Sequence, residues 1–244
     1  MEELLNRYVR DKKIEIRELR ATVGSIKSDQ LLRLLLTIRN GSNTAVMVAA
    51  ADDHTETCRL LLSPIEKISD ELLWMKSKGG RTVLHLAVDR GDSECVELLL
   101  DTVSDERKYD FVAEKDEKGN TAIGLAAVWG RSKCIESLLF NFSSLQIESL
   151  LNIHNNYLYI LLHSAAYSGQ TTALKVMLSS VSLLTVSSLL TMKSKYNRTP
   201  VELAECRGNK ETSELLKRWE KQPVVEGRIV IQCDTRYSLE LLYC

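Results

Sequence analysis

Thr82-Val83-Leu84-His85-Leu86-Ala87-Val88, followed by Gly91 and then by the run Cys95-Val96-Glu97-Leu98-Leu99-Leu100, decides the reading of this chain. It reads as a short apolar helix ended by a glycine, with a second apolar helix behind it. The segment is not alone. With Thr82 as position zero, Thr44, Thr121, Ile160 and Thr199 fall in phase, at steps of 38, 39, 39 and 39 residues. One such match is weak, whereas five in near-constant phase define an internal repeat, the feature that must be found before any other assignment.

The columns of the repeat carry physical reasons. Two residues past zero stand Val46, Leu84, Ile123, Leu162 and Val201, and seventeen past it stand Leu61, Leu99, Leu138, Met177 and Leu216. These aliphatics are expected to face the neighbouring unit and build a continuous core. Five past zero every copy has alanine: Ala49, Ala87, Ala126, Ala165 and Ala204. A small residue there lets two antiparallel helices approach, where a larger side chain would overpack. Nine past zero stand Asp53, Gly91, Gly130, Gly169 and Gly208, the place of a tight left-handed turn.

This pattern resembles the core of the ankyrin-repeat family, T-P-L-H-x-A-A-x-x-G followed by an apolar helix ending in two leucines. The family also has a hairpin, D-x-x-G-x, before the threonine. Asp116-Glu117-Lys118-Gly119-Asn120 carries it in full, Gly80 keeps the glycine, and Asn197 replaces it with the next best residue for a positive backbone angle. Asn40-Gly41-Ser42-Asn43 shifts the glycine by one. Asn155-Asn156-Tyr157-Leu158-Tyr159-Ile160 has neither glycine nor threonine, so a departure from the hairpin geometry is expected there. The resemblance implies an all-α fold, an ankyrin-repeat solenoid of stacked helix-turn-helix units joined by hairpin loops.

The period exceeds the usual 33 residues of the family. The surplus follows the second helix of each unit, and ends in an apolar pair: Leu72/Leu73, Phe111/Val112, Leu150/Leu151 and Leu189/Leu190. Helical spacing predicts a short extra helix in most of these loops, packed on the edge of the stack. Residues 3–40 read as a degenerate capping repeat with Glu3 at position zero, and the repeats that follow are expected at 41–77, 78–115, 116–155, 156–194 and 195–219. The array thus spans 1–219. Residues 220–244 form a tail rich in β-branched residues from Val224 to Cys233, which could be an edge strand or cap, the stub of a further domain, or a disordered segment.

Composition bounds the function. The chain has 32 basic and 33 acidic residues, a net charge of −1, and they are interspersed, so nothing draws it toward nucleic acid or anionic lipid. No apolar run is long enough to span a bilayer, and the start has no signal-peptide pattern, so no membrane insertion and a cytoplasmic or nuclear location are expected. The six cysteines include no C-x-x-C and read as buried or half-buried free thiols. No phosphate-binding or metallohydrolase motif occurs. His85 and His163 occupy the repeat's histidine column, which the resemblance assigns to backbone hydrogen bonding between units. No catalytic residue, metal or cofactor is expected.

What remains is a surface for a protein or peptide, on a chain expected to be monomeric. The resemblance places variable contact positions at the hairpin tips and at the end of the first helix. Carried over, these are Asp52, Asp89 and Arg90, Trp129, Tyr167 and Arg207 at helix ends, and Arg81, Lys118, Tyr157, Tyr159, Tyr196 and Arg198 at the tips. Aromatic residues and arginine dominate binding hot spots. Trp129 is expected on the surface, whereas Tyr157 and Tyr159 could equally plug the irregular fourth hairpin. The leading expectation is a non-enzymatic interaction module. Alternatives are the targeting portion of a larger protein (a channel, ligase adaptor, receptor or effector) and an enzyme using His154 and His163 with nearby carboxylates.

Overall fold

The computed structural model describes residues 1–11, 16–63, 70–140 and 142–222. Helices α1 (Glu2–Asp11), α2 (Ile16–Val23) and α3 (Ser28–Thr37) come first. A hairpin of β1 (Arg39–Asn40) and β2 (Asn43–Thr44) leads into α4 (Ala45–Ala51), α5 (Thr55–Leu62) and α6 (Asp70–Trp74). The triplet then recurs as α7 (Val83–Arg90), α8 (Ser93–Thr102) and α9 (Asp105–Ala113), as α10 (Ala122–Trp129), α11 (Ser132–Leu139) and α12 (Ser144–Leu151), and as α13 (Leu161–Ser168), α14 (Thr171–Ser179) and α15 (Leu183–Thr191). The pair α16 (Pro200–Cys206) and α17 (Lys210–Glu220) closes the described chain.

The first helices pack in one row, α4 on α7, α7 on α10, α10 on α13 and α13 on α16. The second helices pack in another, from α2 on α5 through to α14 on α17. The sequence columns explain the rows. All five alanines of the column are fully buried, as are Leu61, Leu99, Leu138, Met177 and Leu216. Three of the first helices, α4, α10 and α16, begin on a threonine whose hydroxyl accepts from an amide three residues on. Thr44 takes Met47 N at 3.2 Å, Thr121 takes Gly124 N at 3.1 Å and Thr199 takes Glu202 N at 3.3 Å. Each cap satisfies one of the amides that a helix start leaves open, a contribution of about 1 kcal/mol.

The extra helix is present in the units that reach this far. In α9, α12 and α15 the paired residues Phe111/Val112, Leu150/Leu151 and Leu189/Leu190 are buried, and Leu72/Leu73 of α6 likewise. Full burial of one such side chain contributes roughly 1.5–3 kcal/mol, enough to hold a two-turn helix against the stack. Serines start these helices: Ser143 accepts from Gln146 N and Ser182 from Thr185 N. Aromatic contacts join the third row, Trp74 to Phe111 at 4.8 Å and Tyr109 to Phe142 at 6.2 Å.

At the N-terminus, α1 buries Leu4, Leu5, Tyr8 and Val9, the phase of Val83, Leu84, Ala87 and Val88 when Glu3 is set against Thr82. Tyr8 thus fills the alanine column, and its hydroxyl reaches His54 Nδ1 at 3.1 Å. Burial drives the Tyr8 hydroxyl to titrate well above its ordinary range. The tail beyond Gln222 lies outside the described residues.

The expected departure at the fourth hairpin does not occur. Asn155 N donates to Tyr159 O at 3.0 Å and Leu158 N to Asn155 O at 2.9 Å, the same pair of bonds that Asp116 makes with Asn120 and Gly119. The Asn155 side chain takes the place of the Asp116 carboxylate, its Oδ1 accepting from Tyr157 N and Tyr159 N. Leu158 meets the geometry by adopting φ +55°, where Gly80, Gly119 and Asn197 stand in the other copies. A leucine in that region costs roughly 1–2 kcal/mol, so neighbouring contacts must hold it there.

Candidate docking surface

Successive hairpins are hydrogen-bonded to one another through their tips. Glu117 N donates to Gly79 O, Asn156 N to Lys118 O and Lys195 N to Tyr157 O, each at 3.0 Å. Each bond joins equivalent positions of adjacent units, so the tips form a ladder along one edge of the array. Lysine side chains at the hairpin bases reinforce it: Lys76 Nζ donates to Lys115 O at 3.0 Å and Lys115 Nζ to His154 O at 2.7 Å.

The histidine column ties these hairpins to the helices. Thr82 N donates to His85 Nδ1, which places the ring proton on Nε2, and Nε2 donates to Asn120 O of the next hairpin at 3.1 Å. His163 makes the equivalent bond to Arg198 O, also at 3.1 Å. Here Ile160 replaces threonine, and His163 Nδ1 is buried with no hydrogen-bond partner. Burial lowers the pKa of both rings, that of His163 to about 4. The two histidines are therefore neutral structural donors. His163 meets no carboxylate within hydrogen-bond range, and among the described residues no group of three or more His, Cys, Asp or Glu is arranged to hold a metal ion.

The structure divides the sequence-predicted contact residues into two sets. On the first side, Arg81 Nη1 pairs with Asp89 Oδ2 at 3.4 Å, and Arg90 donates to Ala51 O and pairs with Asp52 Oδ1 at 3.7 Å. The first pair ties a hairpin to the end of its own helix, and Arg90 joins the ends of α7 and α4. Arg131 does the same from the next unit, its guanidinium donating to Asp89 O at 3.2 Å. Such pairing was not legible in the columns, because it depends on where long side chains turn after leaving the helix.

On the second side an aromatic patch assembles. Tyr159 stands 6.2 Å from Tyr157 and 6.3 Å from Tyr167, and stacks on His163 at 5.6 Å with the ring planes 17° apart. Burial raises the Tyr159 pKa, and the neighbouring Tyr167 and Tyr196 hydroxyls add to the effect. Arg207 lies over the Tyr167 ring at 4.3 Å, a cation–π contact between consecutive units. Arg198 donates to Cys206 Sγ. Tyr159 is half-buried and covers the His163 ring, so it is part plug and part surface. Tyr157, Tyr167 and Tyr196 are exposed, at 48%, 40% and 60%.

Trp129 stands apart from that cluster. It is 53% exposed, the last residue of α10 before the left-handed Gly130, and it makes no ring contact with the tyrosines among the described residues. Lys118 is an exposed tip residue of the third hairpin. Sequence reasoning missed Asn209, whose side chain donates to the carbonyls of Ala166 and Tyr167 and so fixes the helix end that carries Tyr167.

A family model for ankyrin repeats, in three copies, matches residues 21–108 and 70–149. No curated protein matches the chain. The family match stops at residue 149, and the same capped helices, buried alanines and hairpin rungs continue beyond it to α17. With more than half of the sequence matched and the geometry repeated through the rest, the chain belongs to the ankyrin-repeat family.

Proposed function

We propose that this array is a non-enzymatic docking module for a protein or peptide, held on the side formed by the hairpin tips and first-helix ends. Ankyrin repeats are in general protein-interaction modules, and no described helix is long and apolar enough to cross a membrane. The observation that carries the reading is the exposure of Trp129, Tyr157, Tyr167 and Tyr196 at positions where the repeat's own packing requires no aromatic. Large rigid rings left in water are costly unless a partner covers them, and truncating such an anchor typically loses 2 kcal/mol or more of binding, on the order of thirtyfold. The surface works from a monomeric chain and needs no cofactor. Arg81, Asp89, Arg90 and Asp52 serve it indirectly, by fixing the helix ends.

The test is quantitative affinity capture with the wild-type chain and with Trp129→Ala/Tyr167→Ala, followed by direct binding measurements on what is lost. Specific loss of one or a few proteins, with unfolding curves unchanged, is the expected result. An identical set of captured proteins from both chains would retire the proposal.

A further inference from the structure

The tip ladder has unlike ends. From the second hairpin to the fourth, the carbonyl three residues before position zero accepts from the next hairpin, as Gly79, Lys118 and Tyr157 do, whereas Gly41 of the first hairpin accepts no such bond among the described residues. The corresponding carbonyl of the last hairpin is that of Tyr196, and among the described residues it accepts no hydrogen bond. An acceptor rung therefore stands open, beside the exposed rings of Tyr157 and Tyr196.

The charges around this rung are unbalanced. Lys118, Lys193, Lys195, Arg198 and Arg207 are all exposed, and none has a carboxylate partner among the described residues. At the same end of the array the two carboxylates of α16 are engaged, whereas Glu211, Glu214 and Glu220 lie exposed on α17. Glu202 accepts from Thr199 N at 2.9 Å and Glu205 pairs with Lys217 at 2.5 Å. Asp116 is folded into its own hairpin, which leaves Glu117 as the exposed acid at the far rim. Exposed cations elsewhere are mixed among the described residues: some are matched, as in the run Arg20–Glu56–Arg59–Glu94, and others, such as Arg17, Lys27, Arg33 and Lys133, have no carboxylate partner. What distinguishes Lys195 and Arg198 is their place in the last hairpin, on either side of the open Tyr196 carbonyl.

We propose that the last two hairpins receive an acidic, extended segment of a partner protein. Its backbone N–H continues the ladder at the Tyr196 carbonyl, its carboxylates meet Lys195 and Arg198, and an apolar side chain lies on the rings of Tyr157 and Tyr196. Continuing an array's backbone hydrogen bonding with an extended peptide is an established recognition mode, with main-chain bonds giving affinity and side-chain contacts giving choice, and here the open main-chain group is the single Tyr196 carbonyl. A peptide fits better than a nucleic acid strand, because Glu117, Glu202 and Glu205 would oppose a continuous line of phosphates.

The inference rests on the docking reading above and narrows its partner class. The probe is a fluorescein-labelled twelve-residue peptide alternating Asp or Glu with Val and Tyr, titrated with the full chain by fluorescence anisotropy. Its uncharged counterpart carries Asn and Gln in place of Asp and Glu. The acidic probe should bind at least about tenfold more tightly than the counterpart, and its affinity should fall as salt rises. Lys195→Glu/Arg198→Glu should lose about tenfold or more. Lys27→Glu/Arg33→Glu, the same charge change at the other end of the array, should keep wild-type affinity. Unchanged circular dichroism melts exclude misfolding of either variant.

Equal binding of the two peptides, equal loss in both variants, or tighter binding of a thymidine oligonucleotide would each overturn the acidic-peptide assignment. So would tighter binding of a synthetic peptide of residues 223–244, which would make the chain's own terminal segment the occupant. If the acidic probe fails while Trp129→Ala/Tyr167→Ala still loses a captured protein, the docking module stands and only its partner class is refuted.

Discussion

Replacing Gly119 by alanine separates two costs that the ladder combines. Gly119 has φ +76°, and a Cβ built there would lie 2.5 Å from Asn156 Oδ1 and 2.8 Å from Asn156 N. One hairpin earlier, Gly79 has φ +92°, yet a Cβ there meets nothing within 4 Å. Gly79→Ala should therefore lose only the conformational term, about 1 kcal/mol. Gly119→Ala carries the same term and also displaces Asn156, whose amide donates to Lys118 O and whose side chain donates to Glu117 O, both at 3.0 Å. Two hydrogen bonds at about 0.5–1.5 kcal/mol each bring its total loss to roughly 2–4 kcal/mol. Urea unfolding followed by far-ultraviolet circular dichroism gives the totals. Repeat arrays can unfold piecewise, so hydrogen exchange at the Asn156 amide supplies the local measure. Faster exchange is expected in Gly119→Ala alone. If the two variants lose equal stability and leave the Asn156 amide equally protected, the tip bonds do not couple the units and the ladder argument fails.

Other perturbations address single residues. Leu158→Asn should stabilise the chain by about 0.5–1 kcal/mol, since asparagine tolerates the left-handed region and already occupies it at Asn197; a loss of stability would mean the leucine side chain contributes more packing than its exposure suggests. Trp129→Ala should leave unfolding within about 0.5 kcal/mol of wild type while weakening the partner, because half of the ring is in water; a large stability loss would make it core. His163 stays neutral when folded to about pH 4 but takes a proton near 6.5 when unfolded, so the unfolded chain binds the extra proton in between. Stability should thus fall as pH drops from about 6.5 to 4, by roughly 3 kcal/mol from this residue, and His163→Gln should flatten that slope in unfolding curves measured at several pH values.

The rows of helices were readable because a buried column admits few residues. Alanine recurs five times where two helices touch, and the apolar pairs announced a third helix that the period alone left unexplained. The fourth hairpin differs from its sequence expectation for a physical reason. Glycine is the cheapest way to reach a positive φ but not the only one, and Asn155 supplies the side-chain acceptor that organises the loop around Leu158. The candidate surface was legible as a set of positions. Its division was not, since Arg90 and Trp129 occupy the same column, and only three-dimensional placement shows one bound to Ala51 O and the other facing water. Tyr159 likewise gains its second role because Ile160 removes the hydroxyl that His85 enjoys at Thr82.

The tip bonds have a mechanical consequence. Each rung, like each histidine bond, crosses a single boundary, and none spans two. A pull on the ends would load the boundaries in series, and the array would yield at its weakest one first. Released unit by unit, each period of 39 residues would lengthen the chain by roughly 130 Å of contour. Such a molecule behaves as a row of fuses. The boundaries where Met47 and Gly124 stand in the histidine column lack that side-chain bond, and they are set to give way before the two held by His85 and His163.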